Sequence, residues 1–247
     1  MRIAVAGGTG VVGRHVVAAV ERAGHEAVVL SRGRGVDVAT GSGLDAALEG
    51  VDAVVDTLNV TSLREKVATE FFTTTSRHLV AAGVRAGVGH HVLLSIVGID
   101  RASGYGYYRA KLEQEEVVRA GDVPWSVVRA TQFHEFPGQV LGQVPGPVGI
   151  MPRMRCRPVA AAEVGTYLAE VAAGPARGQA PEIAGPREEQ MVDMARRLLR
   201  ARGRRRWVLP VDFPGAGAAF RGGALLPDGE GPRGSVTFDE WLSASPA

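Results

Sequence analysis

Tyr107 and Lys111 are the residues of this chain whose types and spacing point most directly to chemistry. Four positions apart on a helix, they project from one face. A phenol with a reference pKa near 10 is a poor acid or base at neutral pH, and a neighbouring ammonium makes its ionised form accessible. Of the 28 lysines and arginines only Lys66 and Lys111 are lysines, so a lysine at this spacing stands out against an arginine background. Tyr105 and Tyr108 flank the same stretch, and Tyr108, three residues before Lys111, shares its helical face. The sequence leaves open which of the three tyrosines acts. Ser95 ends the apolar run 91–95 and brings a hydroxyl to the same region.

A second stretch, Gly7-Gly8-Thr9-Gly10-Val11-Val12-Gly13, joins the apolar run 1–6 to a helical run over 11–23. Gly7, Gly10 and Gly13 fit one glycine spacing, and Gly8, Gly10 and Gly13 fit G-x-G-x-x-G. Either way, glycine permits the tight turn, lets backbone amides approach a pyrophosphate, and lets helix and strand pack closely. The helix N-terminus adds unpaired N–H groups and a favourable dipole. With a strand before it and a helix after it, the stretch predicts a dinucleotide site lined by Gly7, Thr9, Gly10, Val11, Val12 and Gly13. NAD sites place an acidic residue at the end of the second strand, and this chain has Ser31 and Arg32 there. A guanidinium and a hydroxyl bind a 2′-phosphate that a carboxylate would repel, so NADP is expected over NAD. Asp37 lies where a side chain after a short third strand can reach the adenine amino group; an aspartate opening a turn is the other reading.

These groups need a scaffold, and the alternation of short apolar runs with helical stretches predicts a parallel sheet wound with helices. Strands are expected over 2–6, 26–31, 36–38, 52–57, 91–95 and 125–130, with helices over 10–23, 44–48, 62–86 and 107–120. Open α/β sheets bind ligands beyond the carboxyl ends of their strands. Thr57, Leu58 and Asn59, Ser95, and Thr131, Gln132 and Phe133 are therefore placed at the cofactor edge. His134 follows directly, and its near-neutral reference pKa suits a general acid or a substrate hydrogen-bond donor; a polar loop histidine without chemistry is the alternative. Phe136, Met151 and Met154, with Tyr108, are candidates for an apolar substrate wall, against a default of core packing. Beyond Phe136, Pro137, Pro145, Pro147 and Pro152 interrupt any long element. A helix over 160–173, a strand over 182–184, a helix over 188–202 and a strand over 207–211 follow, then an irregular stretch over 215–234 and a helical turn over 238–242. The chain thus reads as α/β: a doubly wound Rossmann-like parallel sheet with a small C-terminal substrate-binding cap. The dinucleotide-binding core is expected over 1–136, and 137–247 as a dependent C-terminal part with some elements returning to the core.

The 247 residues, 45% hydrophobic and 22% charged, suit a soluble globular chain with a sizeable core. No run approaches the ~20 apolar residues that span a bilayer, and no signal-like region opens the chain, so a cytoplasmic protein without membrane attachment is expected. Cys156 is the only cysteine, which excludes an internal disulfide and a multi-cysteine metal site; Arg155 and Arg157 beside it can lower a thiol pKa. The arginines crowding 196–206 lack an interleaved aromatic ladder and read as a solvated helix end, so no nucleic-acid partner is expected. His90 and His91 lack further spaced ligands, which argues against a metal. A small-molecule substrate is the expected partner, and the oligomeric state stays open.

Residues 7–13, Leu94-Ser95-Ile96-Val97-Gly98-Ile99-Asp100, Tyr107-Tyr108-Arg109-Ala110-Lys111 and Arg129-Ala130-Thr131-Gln132-Phe133 together resemble the short-chain dehydrogenases, and within them the atypical NmrA-like branch. The likeness is good over 1–135 and loose beyond. It implies a Rossmann fold holding NADP or NAD, with backbone near 131–133 touching the nicotinamide. It further implies a serine, tyrosine and lysine that match Ser95, Tyr107 and Lys111. Tyr107 would donate a proton to a substrate carbonyl as hydride arrives, Ser95 would polarise that oxygen, and Lys111 would orient the ribose and tune the phenol. One departure stands out: conventional members use an asparagine on the long helix after the fourth strand, whereas Asn59, the only asparagine here, precedes that helix. The proton relay it supports is absent or rebuilt. The resemblance implies an NADP-dependent oxidoreductase reducing a small apolar carbonyl or quinone. The alternatives are a non-redox isomerase, dehydratase or cyclase, and a non-catalytic NADP(H) sensor, since some relatives bind NADP without turning anything over.

Overall fold

The computed structural model describes residues 1–62 and 64–244. In chain order the elements are β1 (Arg2–Ala6), α1 (Gly13–Arg22), β2 (Glu26–Leu30), α2 (Leu44–Leu48), β3 (Ala53–Asp56), α3 (Glu65–Ala86), β4 (His90–Ile96), α4 (Gly106–Arg119) and β5 (Trp125–Ala130). They continue as α5 (Phe136–Gln143), β6 (Val148–Pro152), β7 (Arg155–Cys156), α6 (Ala161–Ala172), β8 (Gly178–Gln179), β9 (Glu189–Gln190), α7 (Met191–Ala201), β10 (Trp207–Val211), α8 (Gly217–Gly222) and α9 (Phe238–Ala244). No helix among the described residues is long and apolar enough to cross a membrane.

Two compact units interleave along the chain. The first comprises Met1–Ser95, Gly106–Arg129 and Ala162–Pro181; the second comprises Ile96–Tyr105, Ala130–Ala161 and Glu182–Ala247. Most of α6 and all of β8 lie in the first unit, while 96–105 and 130–136 lie in the second.

The first unit holds a six-stranded parallel sheet in the order β2-β1-β3-β4-β5-β8. Ile3 to Ala6 on β1 and all of β3 are buried, as expected of strands covered by helices on both faces. After β2 the chain crosses to the other side of β1, so a crevice opens where β1 and β3 diverge at their carboxyl ends. Leu30, Leu44, Leu48, Val54 and Leu79 form part of one core, and Phe72 packs with Ala68 and Ala110 in another.

Local sequence misleads at a few places. The strand expected over 36–38 is only a bridge between Asp37 and Ser42, because the Asp37 carboxylate accepts the Ala39 N–H at 3.0 Å and closes a turn. The strand expected over 182–184 reduces to single bridges from Ile183 to Ala130 and from Ala184 to Arg233, and the sixth sheet strand is β8 instead. The helix expected over 62–86 begins at Glu65; Leu63, within that expectation, lies outside the described residues.

In the second unit β6 and β10 pair in parallel, from Trp207 with Val148 to Val211 with Pro152, and β7 pairs antiparallel with β9. Helix α5 is a short, eight-residue element within the stretch where prolines interrupt any long one. A proline in its first turn lacks only an N–H that has no intrahelical partner there, so it starts the helix rather than breaking it. The Arg206 guanidinium closes the other end, donating to the Leu141 carbonyl at 2.7 Å and to that of Val144.

Candidate functional site

The turn after β1 is built around two glycines. Gly7 has φ of +77°, a conformation that side chains disfavour, and its carbonyl accepts the Gly10 N–H at 2.8 Å. A Cβ on Gly13 would lie 2.1 Å from the Gly7 oxygen, so only glycine lets α1 start this close to the strand. No side chain caps α1 and no acidic residue stands in its first turn. Thr9 and Gly10 are exposed, Val11 is half-buried and Val12 is buried. Thr57 pins the neighbouring strand end to this turn: its N–H and its hydroxyl both donate to the Ala6 carbonyl, at 3.0 and 2.8 Å. The Leu58 N–H turns back onto Asp56 Oδ1 at 2.9 Å.

Beyond β2, Arg32 and Arg34 are both exposed on a short 3-10 turn, with Ser31 half-buried before it. Asp37 is engaged in its own turn rather than held out towards a ligand.

The three tyrosines separate clearly. Tyr105 belongs to the second unit, edge-on to Phe213 and Phe220 at 5.6 and 6.1 Å, and burial pushes its phenol up from 10. Tyr108 is buried. Tyr107 is half-buried, and its hydroxyl donates to Asn59 Oδ1 at 2.6 Å. The one asparagine of the chain thus meets the candidate tyrosine, but from the β3–α3 connection rather than from a helix.

Lys111 is 4% exposed and its ammonium is fully engaged. It donates to the Leu94 carbonyl at 2.9 Å and to Gln114 Oε1 at 2.5 Å, and lies 4.8 Å over the Phe72 ring. Phe72 also meets the Tyr107 ring edge-on at 5.6 Å, so phenol and ammonium share one aromatic neighbour. Burial pulls Lys111 down from 10.5 to about 8, against the opposing influence of Asp56 and Glu115. The unfolded chain holds this proton to higher pH than the folded protein. The group therefore favours unfolding below about pH 8, and that penalty fades as pH rises from about 8 to 10.5.

Ser95, the expected polariser of a substrate oxygen, instead donates its hydroxyl to Glu115 Oε1 at 2.5 Å. Glu115, fully buried, also accepts Arg129 at 3.0 and 2.9 Å and Arg119 at 2.8 Å. Neither Glu115 nor Gln114 is among the residues expected from the sequence, although both follow Lys111 at helical i+3 and i+4 spacing.

In the second unit the expected pocket residues are largely interior. His134 has no exposed surface: its Nε2 lies 3.0 Å from the Val236 carbonyl, and its ring packs against Phe238 and Trp241 at 5.7 and 5.9 Å. The imidazole is thus an interior group of the second unit, packed against two aromatic rings. Met151 and Met154 are core residues rather than a wall, at 0% and 2% exposure, and Phe136 is half-buried at the start of α5. The Thr131 hydroxyl donates to the Arg157 carbonyl at 2.6 Å, and Phe133 bridges to Val159. Gln132 is 8% exposed, and both polar atoms of its amide lack a partner among the described residues.

Cys156 is buried, and its two arginine neighbours are engaged elsewhere. Arg155 turns to Glu188 at 2.7 Å and Arg157 to the Gly185 carbonyl at 2.9 Å, while burial, followed by Glu189 and Glu188, pushes the thiol up. Native protein is therefore expected to resist iodoacetamide and to be alkylated only as fast as it unfolds; prompt labelling of Cys156 without denaturant, read by mass spectrometry, would contradict this.

A glycine turn at the β1–β3 crevice of a parallel α/β sheet defines a Rossmann-type nucleotide-binding protein. The sequence profile described as NAD(P)H-binding matches residues 7–175, and the chain belongs to that family. The fold is that of short-chain dehydrogenase/reductase-type proteins. It resembles an NADPH-dependent quinone oxidoreductase of Escherichia coli solved with NADPH, at 17% identity and TM-score 0.71 over 98% of both chains. It also resembles a short-chain dehydrogenase/reductase superfamily protein of Agrobacterium tumefaciens solved with NAD, at 18% identity and TM-score 0.69, covering 98% of this chain and 95% of that one. A third similar structure is a UDP-glucose 4-epimerase of Thermus thermophilus in complex with NAD, at 16% identity and TM-score 0.67, covering 98% and 92%. No curated protein matches the chain.

Proposed function

We propose that this chain is an NADPH-dependent oxidoreductase that reduces a small apolar carbonyl or quinone, with Tyr107 as proton donor. The glycine turn carries the reading: Gly7, Thr9, Gly10, Val11, Val12 and Gly13 form a cradle open to a pyrophosphate, beside a helix end that no side chain caps. Ser31 and Arg32, joined by the exposed Arg34, would hold a 2′-phosphate. The nicotinamide, when bound, supplies hydride. Tyr107 holds its proton on an oxygen already aimed at an amide acceptor, and a substrate oxygen entering beside Asn59 competes for it. As the proton leaves, Lys111, behind the shared Phe72 ring, favours the phenolate that remains.

Replacing Arg32 with alanine is expected to weaken NADPH binding roughly 10- to 100-fold, the value of a charge-assisted hydrogen bond to phosphate, and to leave NADH binding unchanged. Calorimetric titration of both nucleotides reads this, and equal wild-type affinities for NADPH and NADH would sink the argument. The redox step is tested by following NADPH oxidation at 340 nm against panels of quinones, ketones and aldehydes.

A nucleotide-binding protein without turnover is the second reading. It is favoured by the engagement of the Ser95 hydroxyl with Glu115 and of the Lys111 ammonium with Leu94 and Gln114. Tight NADPH binding with no substrate consumed would select it; conversion of a substrate with the nicotinamide's oxidation state unchanged would select a non-redox reaction.

A further inference from the structure

Four polar side chains from three elements meet in the interior of the first unit. Asp56, Ser76 and Gln114 are fully buried, and Lys111 nearly so. Asp56 ends β3, Ser76 lies on α3, and Gln114 and Lys111 share α4. So much polarity in a dry core is costly unless every group is satisfied.

The direction of each bond shows the logic. Asp56 only accepts: Oδ1 from the Leu58 N–H, and Oδ2 from Ser76 Oγ at 3.3 Å and Gln114 Nε2 at 3.2 Å. Gln114 Nε2 also donates to Ser76 Oγ at 3.0 Å, so the amide nitrogen faces the Asp56 side and the amide oxygen faces Lys111 at 2.5 Å. Reversed, the amide would set its oxygen against the Asp56 carboxyl and its N–H groups against the ammonium. Asp56 therefore dictates which end of Gln114 the lysine meets. The ammonium then donates to two oxygens, Gln114 Oε1 and the Leu94 carbonyl, and lies over the Phe72 ring face.

We propose that Gln114 is the positioning residue for Lys111: clamped by Asp56 and Ser76, its amide oxygen fixes the ammonium against β4 and keeps it charged. Asp56 and Glu115 are the acidic groups acting on Lys111; His91 on β4 also senses Asp56, with burial pulling its ring down from 6.5. The use of this clamp in catalysis rests on the proposed role of Lys111 at the nucleotide and the phenol, but its existence does not.

The composition makes the test direct, because the only other lysine, Lys66, is exposed. Protein labelled with ¹³C at lysine Cε gives two resonances, assigned with Lys66→Arg, and the exposed one is an internal reference. Gln114→Met keeps the bulk and removes the acceptor. The Lys111 midpoint is expected to fall by about one pH unit or more, a tenfold change in proton affinity, while Lys66 stays put. Asp56→Asn, which frees the amide to reverse, should move it the same way. A Lys111 midpoint unchanged in folded Gln114→Met overturns the proposal, even if that variant melts earlier, since lost packing alone lowers stability without moving the titration. If both variants fail to fold, the wild type decides: a held ammonium gives a slowly exchanging ¹⁵N-edited signal at neutral pH that Lys66 does not, and absence of that signal overturns the proposal. NADPH titrations on the same samples separate the two ideas. Wild-type protein that ignores NADPH defeats the proposed function and leaves the lysine result to judge the role of Gln114 alone.

Discussion

Glu115→Ala is expected to destabilise the protein by about 3–5 kcal/mol, the cost of removing one partner from a buried ion pair. The Glu115 side chain has no exposed surface and accepts from three residues at once. Arg129 approaches with both fork nitrogens and its side chain is only 13% exposed, so it cannot simply rotate into water when its carboxylate is removed. Arg119 suffers less, since it also donates to Gln179 and Glu116 and lies over the Trp125 ring. Glu115→Gln keeps the volume and one acceptor oxygen, so a smaller loss is expected. Urea midpoints followed by tryptophan fluorescence read both variants. A loss in Glu115→Ala below about 1 kcal/mol, typical of exposed ion pairs, would show that the cluster is solvated after all.

That cluster also marks where the sequence stops being informative. The glycine turn, the strands over 2–6 and 125–130, and the long helices are legible because local spacing alone specifies them: apolar runs bounded by glycine, then a helical period. The candidate tyrosine and lysine are legible for the same reason, four residues apart on one helix. What those side chains bond to is not. Ser95 reads as a free hydroxyl at a strand end, and only the fold brings Glu115 to it. His134 reads as a polar loop residue because the rings that enclose it, Phe238 and Trp241, come from the far end of the chain. The charges around Cys156 mislead in a similar way, since adjacency in sequence says nothing about where Arg155 and Arg157 point. Gln114 and Asp56 carry no local signature at all; a glutamine three residues after a lysine is ordinary until both are buried. Helix α5 is hidden by its own starting proline, and β8, two residues long, is a strand only because β5 lies beside it.

Tyr107→Phe is expected to lower turnover about 10²–10⁴-fold, the contribution of a positioned proton donor, with NADPH affinity unchanged. Phenylalanine keeps the edge-on contact with Phe72, so the ring stays in place and only the acidic hydroxyl is lost. The bond to Asn59 is forfeited, and that partner is exposed and can be satisfied by water, so the variant should fold with a stability change within about 1 kcal/mol. This separation of activity from stability is what makes the experiment decisive. Tyr105→Phe and Tyr108→Phe serve as controls: the first ring is packed on Phe213 and Phe220 and the second is buried, so neither should approach the same loss in turnover. Asn59→Ala leaves the phenol intact and removes an acceptor of its hydroxyl, and a loss smaller than that of Tyr107→Phe is expected. If turnover in Tyr107→Phe stays within about threefold of wild type, well short of what general acid catalysis contributes, the proton comes from elsewhere. The bond to Asn59 is then a structural tether between α4 and the end of β3, and the lysine behind Phe72 has no phenolate to stabilise.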